Sequence, residues 1–129
     1  MEKKKVKVLV VDDMAVTRNI IAKGLSMDPG IEVVATSSDP YSAREMIAKY
    51  RPDVITLDLE MPRMSGLEFL RKLMPQYPLP VIIVSSFSAE KQKQVDAILK
   101  AGAVDYVMKP QVASPDGAAN MIMELRTKV

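Results

Sequence analysis

At 129 residues the chain can bury one real core and is too short for two, so residues 1–129 read as a single domain. Apolar residues make up 48%, charged residues 26%, and the formal net charge is only +2, which fits a soluble globular protein and argues against disorder. Cysteine and histidine are both absent, which excludes disulfides, thiolate nucleophiles, Ser-His-Asp triads and His-ligated zinc.

Taken in chain order, short β-branched apolar runs alternate with segments of helical period. The first strand is expected over Lys7–Val11. Val16, Ile20, Ala22 or Lys23, and Leu25 then follow a 3–4 spacing, and Asp28-Pro29-Gly30 stops that helix. A second strand is expected over Glu32–Thr36. Asp39-Pro40 supplies an N-cap and a proline at the first helical position, for a helix running through Ala43, Met46, Ile47 and Tyr50. The third strand reads Val54–Leu57. Ser65-Gly66-Leu67-Glu68 is a capping box, opening a helix that buries Leu67, Leu70 and Met74. A fourth strand over Val81–Ser85 precedes a helix starting near Ser88 that turns Val95, Ile98 and Leu99 inward. The last pair is a strand over Asp105–Met108 and a helix from about Gly117 to Thr127, with Ala118, Ile122 and Leu125 on one face. Strict alternation gives an α/β, doubly wound (βα)5 sandwich, with a parallel five-stranded sheet in the order 2-1-3-4-5.

Several partners are argued against. Lys3-Lys4-Lys5 reads as a solvated lead-in to the first strand, and four Tyr, two Phe and no Trp make no stacking platform for nucleic acid. The charged start does not read as a signal peptide, and no apolar run reaches membrane length. A cytoplasmic protein without membrane insertion is expected.

The chemistry gathers where strands end. In an open parallel sheet the carboxyl ends of the strands share one edge, and ligands bind there. That edge collects Asp12 and Asp13 after the first strand, Asp58 after the third, Ser85-Ser86 after the fourth and Lys109-Pro110 after the fifth. At roughly 5 Å and an effective dielectric near 20, each carboxylate pair repels by about 3 kcal/mol. A divalent cation, a shared proton or a neighbouring lysine must offset this. With neither His nor Cys available, a metal here is a hard, oxygen-ligated ion such as Mg2+. Taken singly, each residue has a plainer reading: Asp12 or Asp13 as a helix N-cap, Asp58 as a cap before Pro62, Lys109 as a solvated loop lysine, Tyr106 as half-buried core. For the hydroxyl, alternation from Val81 and Ile83 favours Ser85 over Ser86.

Jointly, Asp12-Asp13, Asp58, Met61-Pro62…Gly66, Ser85, Tyr106 and Lys109-Pro110, in this order and at these strand ends, resemble the receiver domain of two-component response regulators over nearly the full chain. The resemblance implies a flavodoxin-like fold and a phosphoacceptor. Asp58 would take a phosphoryl group from a histidine kinase. Asp13, Asp58 and the backbone carbonyl of Glu60 would hold Mg2+, with Asp12 reaching it through water. Lys109 and Ser85 would contact phosphoryl oxygens. Ser85 and Tyr106 would move together and reshape the face formed by the fourth helix, fifth strand and fifth helix. The resemblance also implies a cis Lys109–Pro110 bond, and a protein that is either monomeric or weakly paired. Glu60 and Ser86 lie one or two places beyond site residues and are expected to modulate hydrolysis of the aspartyl phosphate.

The segments Leu57–Met64, Phe69–Met74, Val84–Ser86 and Ala101–Tyr106 are more similar to the receiver domain of chemotaxis protein-glutamate methylesterases than to a generic regulator. This implies a chemotaxis-type kinase as donor and a methylesterase output domain in a longer parent. Without histidine, this chain itself is not expected to carry esterase chemistry. The alternative within the family is a stand-alone receiver acting on a separate partner. Other readings fit less well. An aspartate-nucleophile phosphatase of the haloacid-dehalogenase kind wants its two carboxylates two residues apart after the first strand. A flavin carrier wants a hydroxyl- or glycine-rich loop where Asp12-Asp13 stands. A receiver-like scaffold that takes no phosphate would usually lack Asp58 or Lys109.

Overall fold

The structure is a computed structural model that describes residues 5–59, 66–86, 95–109 and 115–129. Five strands, β1 (Val6–Val11), β2 (Ile31–Ser37), β3 (Val54–Leu57), β4 (Val81–Ser86) and β5 (Asp105–Lys109), form one sheet in the order β2-β1-β3-β4-β5. Every neighbouring pair is parallel. The helices are α1 (Ala15–Ser26), α2 (Pro40–Tyr50), α3 (Gly66–Leu73), α4 (Val95–Lys100) and α5 (Pro115–Lys128). The expected alternation and strand order both hold.

The central strands are apolar without alternation because both of their faces are covered. Leu9 and Val11 of β1 join Ile55, Leu57, Val81 and Ile83 in a core closed by Ala43 and Ile47 of α2, Phe69, Leu70 and Leu73 of α3, and Ile98 of α4. Val8 and Val10 point the other way, into a second core with Ile82, Val84 and Val107, closed by Ile21 and Leu25 of α1 and by Met121 and Leu125 of α5. Asp39 caps α2 as expected, its carboxylate accepting the Ser42 N–H at 2.8 Å with Pro40 opening the helix.

Two helix faces differ from expectation. On α1, Val16 and Ile20 are exposed, and the buried pair is Ile21 and Leu25. The adjacent isoleucines offered two stripes one residue apart, and the sheet took the one in line with Leu25. On α4, Ile98 is buried but Leu99 is turned to solvent; one turn and a half of helix presents a single residue deeply. Tyr50 of α2 is likewise exposed, while Met46 and Leu67 are half-buried against the first core. The α5 helix starts two residues before Gly117, with Pro115 at its first position. The Ser65 half of the capping box, the start of the fourth helix near Ser88, the Val95 side chain and the Lys109–Pro110 bond lie outside the described residues. No helix among the described residues is long and apolar enough to cross a membrane.

Candidate functional site

The parallel ladder continues one residue past the ends of β1 and β3 and carries two aspartates with it. The Asp12 N–H donates to the Ser37 carbonyl at 3.0 Å, and the Asp58 N–H donates to the Val11 carbonyl at 2.9 Å. Both side chains are therefore set on the carboxyl edge by main-chain bonds, and both are buried, with 1% and 3% of their surface exposed. The exposed Asp13 lies beside them. One carboxylate oxygen from each of Asp12, Asp13 and Asp58 falls within a 4.8 Å cluster.

Asp12 has two tasks. Its Oδ1 accepts the Met14 N–H at 2.9 Å, the local turn that starts α1. Its Oδ2 lies 2.9 Å from the Lys109 ammonium. That contact is between charges and lacks hydrogen-bond alignment, since Oδ2 has no aligned donor among the described residues. The same ammonium lies 3.5 Å from Asp58 Oδ1. Lys109 enters from the end of β5, where its strand position pairs with Ser86. It supplies positive charge of the kind the clustered carboxylates require, against two of the three. At 4.8 Å and an effective dielectric near 20, two carboxylates of the cluster repel by about 3.5 kcal/mol. An all-oxygen donor set of three clustered carboxylates fits a hard divalent cation.

The hydroxyl and the aromatic residue occupy the same side of the sheet. Ser85 of β4 is buried, and its Oγ has no hydrogen-bond partner among the described residues. Alternation places it on the face of Val81 and Ile83. Tyr106 pairs in register with Ile83 and packs, half-buried, against that first core. Thus Asp12, Asp13, Asp58 and Lys109 come together, and Ser85 and Tyr106 share a neighbouring face. Glu60 and the Ser86 side chain lie outside the described residues.

Three features escaped sequence reasoning. Arg18, one turn into α1, donates from Nη1 to the Asp12 carbonyl at 2.9 Å and so fastens the acidic turn. Thr56, two residues before Asp58, buries a hydroxyl without a partner among the described residues. Lys128 reaches the main chain of Tyr106. Arg18 and Lys128 act on carbonyl oxygens, which leave no trace in residue type.

A family model described as the response regulator receiver domain matches residues 8–116. The chain belongs to the response regulator receiver family. Among its relatives, a protein-glutamate methylesterase/protein-glutamine glutaminase of Syntrophotalea carbinolica is 57% identical over 127 residues, covering 98% of this chain and 36% of the relative. Another, from Syntrophomonas wolfei, is 50% identical over 129 residues, covering all of this chain and 37% of the relative. The receiver thus spans about a third of the length of the curated relatives it matches. In structure it resembles the response regulator domain of Thermotoga maritima CheB, with a TM-score of 0.87 and 35% identity over 97% of this chain and 93% of that one. It also resembles the chemotaxis response regulator CheY4 of Vibrio cholerae, with a TM-score of 0.74 and 29% identity over 95% of this chain and 99% of that one.

Proposed function

We propose that this receiver is the phosphoacceptor of a chemotaxis-type phosphorelay, working in the cytoplasm, with Asp58 as the residue that takes the phosphoryl group. The observation that carries this reading is the Lys109 ammonium held within 2.9 Å and 3.5 Å of two buried carboxylates at the sheet edge. A carboxylate oxygen of Asp58 forms the bond to phosphorus as the bond to the kinase's histidine nitrogen breaks. Lys109, already against Asp58, meets an oxygen of the arriving group, and the unpartnered Ser85 hydroxyl donates to another. Asp13 and Asp58 with the Glu60 carbonyl are the residues to hold Mg2+, Asp12 supporting it through water. When bound, the cation supplies positive charge to the transferring group. Ser85 and Tyr106 then shift the α4–β5–α5 face toward its signalling setting.

The chain acts as a switch, without multiple turnover, and Glu60 and Ser86 tune the lifetime of the aspartyl phosphate. Its resemblance to about a third of the length of methylesterase relatives supports a place as the regulatory part of such an enzyme. A stand-alone receiver is the second reading, favoured if a stop codon follows Val129 directly.

The test is beryllium fluoride with Mg2+, followed by melting temperature and by amide NMR shifts at the sheet edge. Saturable binding in the wild type, lost in Asp58→Asn, is expected. No binding, or binding undiminished in Asp58→Asn, overturns the assignment. Glu60→Ala is expected to change the aspartyl-phosphate lifetime without changing the melting temperature, and an unchanged lifetime removes Glu60 from the account.

A further inference from the structure

The Tyr106 peptide groups sit at the free edge of the sheet, because β5 is its last strand. An open edge ordinarily leaves such groups to solvent or to another chain. Here they are bracketed. The Tyr106 N–H donates to Asp105 Oδ1 at 2.8 Å. Lys128, the last residue of α5, donates to the Tyr106 carbonyl at 2.8 Å and to the same Asp105 oxygen at 3.2 Å. The three bonds close a loop around the main chain of one residue. Glu124, one turn earlier on α5, holds the Lys128 ammonium at 3.0 Å and so aims it. That ammonium also lies 5.7 Å from the centroid of the Tyr106 ring, inside cation–π range.

These contacts do not weigh equally on the two settings of a switch. The main-chain bonds survive a rotation of the Tyr106 side chain. The ring contact does not, because turning the ring moves its face away from an ammonium fixed by Asp105, Glu124 and the carbonyl. The free energy of that contact therefore favours only the half-buried setting seen here. A group that interacts differently with two conformations biases their populations.

We propose that Lys128 is a positioning residue for the switch, a latch from the end of α5 that holds the Tyr106 ring in its unswitched setting. This rests on the reading of Tyr106 as a switch residue. Removing the latch favours the switched state and, by linkage, tightens binding of a phosphoryl mimic at Lys109 and Asp58. Lys128→Met keeps the aliphatic stem and removes the charge, and Lys128→Arg keeps a donor and a cation at the same place.

The experiment measures beryllium fluoride–Mg2+ affinity on the full chain for the wild type, Lys128→Met, Lys128→Arg, Tyr106→Ala and the Lys128→Met/Tyr106→Ala double variant. NMR signals of the Tyr106 ring are followed in parallel. Lys128→Met is expected to tighten binding about fivefold, the low end of ordinary coupling, and to move the ring signals toward those of the bound wild type. Lys128→Arg is expected to restore wild-type affinity, and Lys128→Met is expected to add nothing in the Tyr106→Ala background. If Tyr106→Ala changes affinity but Lys128→Met does not, the latch is wrong and the switch stands. If neither changes it, the switch reading fails. An equal gain from Lys128→Met in both backgrounds places its effect outside the ring and overturns the proposal.

Discussion

Lys109 is held where a lysine has few reasons to be, against two buried aspartates and only 11% exposed itself. Burying a charge is costly, and breaking a buried pair by removing one partner typically costs about 3–5 kcal/mol because the other charge stays behind. Lys109→Met should therefore lower stability by about 3 kcal/mol in buffer free of divalent cations. It should also make the carboxylates a better cation site, so added Mg2+ should raise the melting temperature of the variant more than that of the wild type. Urea melts with and without Mg2+ check both halves, and an equal Mg2+ effect in the two proteins would show that Lys109 does not compete with the cation. At this scale the sequence was readable wherever a functional side chain stands at a strand end. Asp12, Asp58 and Lys109 follow apolar runs whose ends can be located, and the parallel sheet brings those ends together. Arg18 and Lys128 were not readable, because what they bind are the carbonyls of Asp12 and Tyr106.

Among the elements, α1 packs against α5, and a glycine sets the contact. A Cβ on Gly24 would stand 2.7 Å from Cδ1, Cγ1 and Cγ2 of Ile122. One of these atoms is the β-branch, which cannot swing aside without moving the helix. Alanine in a helix interior gains about 1 kcal/mol over glycine from propensity, whereas overpacking costs about 1–3 kcal/mol. Gly24→Ala is thus expected to destabilise by about 1–2 kcal/mol and to turn neutral or stabilising when Ile122 is also alanine. A double-mutant cycle by urea denaturation measures this, and strict additivity would rule out the contact. The same helix marks the limit of periodicity. Ile20 and Ile21 support two stripes equally, and only the packing of α1 on β1 and α5 selects the second. Strand existence and order were legible because the runs Val8–Val11 and Val81–Val84 are apolar on both faces. The precise face of short α4 was not, since six residues carry too little pattern.

For the whole molecule, α5 is the closing element, and ion pairs fasten it on two sides. Arg126 reaches Asp28, at the turn between α1 and β2, at 3.2 Å, while Lys128 ties it to β5. The Gly30 N–H and the Arg126 guanidinium hold the Asp28 carboxyl below its ordinary value. A carboxyl depressed in the folded state contributes stability above its unfolded value, about 3.9, and loses it as pH falls through the lower folded value. Lys128 is shifted the other way: burial pulls its ammonium down, but hydrogen bonds to Glu124 and Asp105 outweigh burial and raise it. Its contribution is full below the unfolded lysine value and is lost as pH rises through the folded one. The Asp28 fastening should therefore weaken in acid, and the Lys128 fastening should weaken in alkali. In melting temperatures recorded across pH, the gap between wild type and Asp28→Asn should be constant near neutrality and shrink as pH falls below about 4. The gap for Lys128→Met should close in alkali, as pH rises through the raised folded value. Both pairs are partly solvated, so salt should shrink both gaps at neutral pH. An Asp28→Asn gap that persists undiminished at pH 2 would mean that the carboxylate charge is not what joins the α1–β2 turn to α5.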